Sequence, residues 1–507
     1  MAQTRREFLV QTGCGALSAS ALLSGLGRFA LIDALAQSQP GYEALVCVFL
    51  FGGNDSNNMV IPVTNYADYN AARQRSDMSQ TRTYSEFQIP VADLLQINPA
   101  SAGLTFGLNP RLGDGSPDAT NYSMYDLWNQ GVAAVVCNVG PLISPMTRSD
   151  YLANVNRPYQ LFSHSDQQNL WQTSYANGPK QTGWGGSTVD KVGTSGNFPV
   201  IASIAGVTVF STGLNSRPLV LSPAPTQLNQ SLRLFSSGTS PSEDEIRQIL
   251  MADEGQVMPA LIQGAAQITQ SALDASDLLQ MEPVINTVFP NSSLGNQLKQ
   301  VAKLIKLAPA FGLTRQVFFV SIGGFDTHTN QGKYNPLPDP ITTGGQLGLL
   351  QQLSQAVGSF YAATQELGVS QQVTLFTSSD FSRTLLPGGG NTGTDHAWGS
   401  HQFVVGGAVN GGDFYGQFPS LATGTDQDTD GGASPRGRWI PTTSVDQYAL
   451  TLAYWYGLSP SDRTSVFPNI GNFWADPNQT LGFMNTNLGA QRRGTTSRKT
   501  VAGTSKG

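Results

Sequence analysis

The sequence predicts an α/β fold with a mostly parallel central sheet between helices. Three observations point to it. Several apolar, β-branched runs lack the strict alternation of a half-exposed strand, as expected where both faces of a sheet are covered. Helical patterns fall between those runs. Two runs end in a double glycine followed by an acid, "FLFGGND" and "SIGGFD". That composition suits the C-terminal rim of a parallel sheet, where open α/β folds bind ligands.

The runs define the expected strands: "ALVCVFLF" (44–51), "VAAVVCNV" (132–139), "FPVIAS" (198–203), "RQVFFVSI" (315–322), "QVTLFT" (372–377) and "QFVVG" (402–406). Helical spacing of apolar residues predicts helices over 66–74, 123–130, 165–175, 242 to about 279, 294–307, 345–367 and 445–456. Segments rich in Pro, Gly, Ser and Thr (211–242, 332–344, 387–400) read as surface loops. No linker divides the body and no solenoid repeat is visible. The expectation is a single large hydrolase-like α/β domain over 37–488, with 242–311 as a helical insertion.

Only 12% of the 507 residues are charged, well below the roughly 25% of ordinary soluble chains. The surface is therefore built from neutral polar groups. "TRREFL", with Arg5 and Arg6, precedes a weakly apolar stretch from Val10 to Ile32 and then "ALA" at 34–36. This pattern predicts a twin-arginine signal over 1–36, passage through the twin-arginine translocase, and a periplasmic or secreted product. An uncleaved anchor is the alternative, but Gly, Ser and Arg28 dilute the stretch, so no permanent membrane span is expected. The net charge is −6, and an anionic body argues against nucleic acid as a partner. Residues 489–507 are basic, lack apolar periodicity and read as a disordered tail. Cys14 lies in the signal; Cys47 and Cys137 fall inside apolar runs and read as buried free thiols.

Histidine is scarce, with four in the chain: His164, His328, His396 and His401. Each sits beside an acid or hydroxyl near the end of an apolar run. Asp326 and His328 are two apart, so in extended chain both point the same way. Asp380 closes the strand over 372–377, and Asp395, His396 and His401 follow within a short span. Carboxylates and neutral imidazoles together suit a divalent cation. Taken singly, each fragment has a plainer reading: Asp380 or Ser163 as a helix N-cap, His328 as a solvated loop residue. Taken together, Asp55, Asp326, His328, Asp380, His396 and His401 are expected to meet at one sheet edge as metal ligands. One or two divalent ions (Zn, Mn, Mg or Ca) would be the cofactor. Ser163 and His164 open a helix, whose free N–H groups suit an anion. Arg383, or Arg148, is a candidate clamp for a non-bridging oxygen.

"FLFGGNDSNNMVIP", "GGFDTHTNQ" and "SSDFSRTLLPGGGNTGTDHAWGSHQFVVGGAVNGG", with the Ser-His pair before "NLWQT", resemble the bacterial domain of unknown function 1501 family over nearly the whole mature chain. That family is similar to the alkaline phosphatase and sulfatase superfamily. The resemblance implies an acid after the first strand that binds metal (Asp55) and a nucleophile at a helix N-terminus (Ser163). It also implies an Asp/His pair after a later strand (Asp326 and His328), a further acid (Asp380) and a final histidine (His396 or His401). Phosphatases of the superfamily carry Asp-His where this chain reads Asp380-Phe381. That departure counts against a two-zinc phosphatase site and leaves room for a single-metal, sulfatase-like one. The sulfatase nucleophile motif is recognisable only loosely in "SPMTR" (144–148).

The expected function is exported, metal-dependent hydrolysis of a small anionic phosphate or sulfate ester. The alternative is a non-catalytic exported or surface protein on the same fold. An oxidoreductase is disfavoured, because no G-x-G-x-x-G opens a helix and no cysteine cluster could hold iron–sulfur.

Overall fold

The computed structural model describes residues 41–73, 88–115, 122–193, 198–231, 279, 282–329, 331, 345–388, 393–430 and 434–485. The expected signal over 1–36, the tail over 489–507 and residues 242–278 of the expected insertion lie outside them.

Twelve strands are described: β1 (Glu43–Leu50), β2 (Val60–Pro62), β3 (Leu95–Ile97), β4 (Phe106–Leu108), β5 (Ala133–Gly140), β6 (Ile201–Ser203), β7 (Leu219–Val220), β8 (Arg315–Ile322), β9 (Val373–Ser379), β10 (Ser400–Val405), β11 (Phe414–Tyr415) and β12 (Thr443–Ser444). Nine form the central sheet in the order β11-β5-β10-β9-β1-β8-β6-β7, with β12 added beside β5. Every neighbouring pair is parallel except those made by β10, which runs against β5 and β9. β2, β4 and β3 make a separate antiparallel sheet. Its three-residue strands are too short to leave a periodic signal in the sequence.

All eight residues of β1, of β5 and all seven of β9 are buried. Successive side chains on a strand point to opposite faces. Continuous burial therefore means that both faces are covered, which is why these runs do not alternate. Helix Ser293–Leu307 packs on β8 and on helix Gly345–Glu366, while helix Val445–Tyr456 packs on β1 and β5. Leu294, Leu298, Val301 and Leu304 are fully buried in the main core, so this end of the expected insertion is part of the layer that covers the sheet. Each such side chain contributes about 1.5–3 kcal/mol of burial. Cys47 and Cys137 are free and buried in the sheet.

Register sets the site. Leu50 pairs with Ile322 on one side and Ser379 on the other, so β1, β8 and β9 end level. β10 runs the opposite way and begins at that same rim, with Ser400 opposite Val139 near the end of β5. The segments after Leu50, Ile322 and Ser379 and the segment before Ser400 therefore leave the sheet side by side. Gly52 makes this closeness possible: its φ is +110°, and a Cβ there would lie 2.3 Å from the backbone nitrogen of Asp326. No helix among the described residues is long and apolar enough to cross a membrane.

Candidate metal centre

Asp326 follows β8 and is the hub of the rim. Its Oδ1 lies 3.1 Å from His328 Nε2 and 3.5 Å from His396 Nε2, and its Oδ2 lies 3.5 Å from His164 Nε2. His328 Nε2 and His396 Nε2 are 2.8 Å apart. The donor atoms of His164, Asp326 and His396 also fall within 4.8 Å of one another. The side chains of Asp326 and His328 are 48% and 44% exposed, so this centre opens to solvent.

Each imidazole is oriented through its other nitrogen. His164 Nδ1 donates to Asp380 Oδ2 at 2.8 Å, His328 Nδ1 to Asp395 Oδ1 at 3.1 Å, and His396 Nδ1 to the Phe162 carbonyl at 2.7 Å. Placing the proton on Nδ1 leaves each Nε2 with a lone pair, and all three point into the cluster. His164 Nε2 is buried with no hydrogen-bond partner. Metal-ligating histidines are held in this manner, with the distal N–H on a carboxylate or backbone carbonyl.

The spacing fits one ion. Bonds of about 2.0–2.1 Å from a tetrahedral ion place its ligand atoms about 3.3 Å apart. The four separations here run from 2.8 to 3.5 Å. His164, Asp326 and His396 thus fit a divalent transition ion as donors, and His328 stands beside Asp326 Oδ1 and His396 as a further candidate.

Electrostatics favour the ligand form of His396 and Asp326, whereas His164 would have to give up a proton to bind an ion. Hydrogen bonding to Asp380 holds the His164 pKa above its ordinary value, against burial. Burial pushes His396 down, towards the neutral ligand form. Burial would raise Asp326, but the Arg383 hydrogen bond and charge outweigh it and keep the carboxylate ionised.

Three residues expected as ligands have other partners. Asp380 is fully buried and accepts from Gly52 N–H, His164 Nδ1 and Gln168 Nε2, so it orients His164. Asp55 pairs with buried Arg73 at 2.8 Å and accepts from Gln331 Nε2 at 2.6 Å. His401 enters β10, where its Nδ1 accepts from Asn138 N–H and its ring stacks on Phe418. Burial pushes His401 down to about 3.

Arg383 is buried and turned inward. It donates to Asp326 Oδ1 at 2.9 Å, to the Gly52 carbonyl, and to the Thr394 hydroxyl and carbonyl. It anchors Asp326 instead of offering a guanidinium outward. Phe381 packs against His164 and His396 with ring centroids 4.9 and 4.6 Å away, forming an apolar wall behind the two imidazoles. Ser163 makes no side-chain cap on helix His164–Thr173; its Oγ donates to Asp166 Oδ2 at 2.6 Å. The sequence reading misses the Phe162 carbonyl, Arg436 and Arg438. A backbone oxygen leaves no trace in residue type, and the signal for the arginines is only the compact "PRGRW".

A comparison with curated proteins found no match. Among solved structures, the chain is similar to Ps i-CgsB in complex with k-i-k-neocarrahexaose, at 10% identity over 89% of this chain and 77% of that one, TM-score 0.32. It is also similar to the PsFucS1 sulfatase from Pseudoalteromonas sp., at 9% identity over 84% and 74%, TM-score 0.26. A structure from work on glycosaminoglycan metabolism by Bacteroides thetaiotaomicron matches at 9% identity over 83% and 78%, TM-score 0.30. The family model for proteins of unknown function DUF1501 matches residues 42–430, and the chain belongs to that family.

Proposed function

We propose that the protein is a metal-dependent hydrolase of small anionic phosphate or sulfate esters. The observation that supports this reading is the convergence of three tautomer-fixed Nε2 lone pairs on Asp326 in a solvent-open centre. His164, His328, His396 and Asp326 would hold the ion. A divalent ion bound there supplies Lewis acidity towards a phosphoryl or sulfuryl oxygen.

The chain's own residues supply the rest. Ser163 Oγ would form the new bond to phosphorus or sulfur as the bond to the leaving alkoxide breaks. Its proton would pass to Asp166, within the 2.6–3.2 Å reach of a general base. Water then hydrolyses the ester on Ser163. Asp380, Asp395 and the Phe162 carbonyl hold the imidazoles in place, and Phe381 keeps water from the buried side of His164 and His396.

Elemental analysis of protein purified without chelator, beside release of 4-nitrophenol from its phosphate and sulfate esters, tests the reading. Near-stoichiometric transition metal with turnover is expected; neither metal nor turnover overturns it. One observation favours a non-catalytic binding protein: the donors of Arg383 are engaged internally. Metal without turnover on either ester would select that second reading. Export through the twin-arginine translocase is part of the same proposal and rests on residues 1–36. Cleavage after Ala36, read by N-terminal sequencing of protein from the cell envelope, checks it.

A further inference from the structure

Asp428 is fully buried. Its carboxylate accepts four backbone N–H groups: Oδ2 from Gly424 at 3.1 Å and Gly437 at 2.9 Å, Oδ1 from Asp430 and Arg438 at 3.1 Å each. Charge-assisted bonds of this kind are the strong ones. Two of the four come from Gly437 and Arg438, so the carboxylate fixes the backbone between Arg436 and Arg438. Gly437 has φ +71°, and a Cβ there would lie 2.5 Å from Leu385 Cβ, which leaves this turn little room to shift.

Both arginines lead to the metal centre. Arg436 Nη2 donates to Asp395 Oδ2, and Asp395 Oδ1 receives the Nδ1–H of His328. Arg438 Nε donates to the His396 carbonyl at 2.7 Å, and its guanidinium lies 5.1 Å from the centroid of the Phe162 ring. The Phe162 carbonyl in turn receives the Nδ1–H of His396. Phe162 holds φ +72°, unusual for a bulky residue, so its carbonyl direction depends on such neighbours. Asp430 engages Arg438 Nη1 through both oxygens, at 3.0 and 2.9 Å. One buried carboxylate thus sets the supports of two imidazoles.

We propose that Asp428 is a positioning residue for the metal centre, acting through Arg436 on His328 and through Arg438 on His396. The inference rests on the metal reading above. Outer partners of ligating histidines typically govern metal affinity by about 10–100-fold, and Asp428→Asn turns an amide NH2 towards N–H groups that need an acceptor.

The test is titration of the metal-free full chain with Co²⁺, read by the visible absorption of the bound ion. Wild type is expected to bind, with Asp428→Asn at least about 10-fold weaker and with altered bands. The control is Asp190→Asn. Asp190 also accepts backbone N–H groups, from Leu214, Asn215 and Ser216, and its loss should lower stability without changing the cobalt spectrum. If Asp428→Asn does not fold, Arg436→Gln and Arg438→Gln replace it and should each weaken and shift the cobalt signal. Wild-type protein that takes up no cobalt overturns the metal reading itself. Cobalt bound identically by wild type and the Asp428, Arg436 and Arg438 variants overturns the positioning role alone.

Discussion

His328 Nε2 and His396 Nε2 face each other at 2.8 Å, although each ring's proton is drawn to Nδ1, by Asp395 in one case and by the Phe162 carbonyl in the other. Two lone pairs at that distance repel unless a cation or proton lies between them. His396→Ala and Asp326→Ala should each lose the bound ion. Chelator should lower the Tm of wild type and leave the two variants unmoved. An ion at about 100 times its Kd stabilises the folded state by about 2.7 kcal/mol, which differential scanning calorimetry resolves.

Asp55 distinguishes ligand from support. It and Arg73 are 1% and 0% exposed and form an ion pair at 2.8 Å. Removing one member of a buried pair costs about 3–5 kcal/mol, since the other charge stays behind. Asp55→Asn should therefore lower the urea midpoint strongly while folded protein keeps its metal content. Metal loss without a stability loss would return Asp55 to the ligand set.

Gly52 is the geometric gate of the rim. With φ +110° and a prospective Cβ 2.3 Å from Asp326 N, Gly52→Ala must push β1's exit away from Asp326. Strain at such a φ costs on the order of 1–3 kcal/mol before the clash is counted. Lower Tm together with weaker metal binding is expected, read by calorimetry and metal titration.

Asp446 gives a pH signature. It is fully buried, one of its oxygens lacks a hydrogen-bond partner, and burial lifts its pKa to about 7. The folded pKa lies above the unfolded value, so the folded state binds more protons between them. The associated stability is full below about pH 4 and is lost as pH rises through about 7. Asp446→Asn should flatten that slope, removing a pH-dependent difference on the order of 4 kcal/mol between pH 4 and 8. Thermal melts of both proteins from pH 4 to 8 check it.

The elements were largely legible because burial on both faces of a strand writes itself as an unbroken apolar run. The strand expected over 315–322 is β8 residue for residue, and the helix expected over 445–456 is Val445–Tyr456. Helices such as Trp184–Val192 escaped notice because Gly185 and Gly186 dilute the pattern; their smallness lets the helix sit against Phe210 and Thr212.

By itself the sequence determined that acids and scarce histidines would leave one sheet edge, since strand length and direction fix where each segment emerges. Tertiary structure alone decided which of them face one another. Asp55 meets Arg73, Asp380 meets Gly52 N–H and His164, and His401 is drawn into the antiparallel β10 beside Asn138, leaving Asp326 to the three imidazoles. The physical reason is that a buried carboxylate turns to whatever donor neutralises it, and those donors come from 18 residues away for Arg73 on Asp55 to 328 for Gly52 on Asp380.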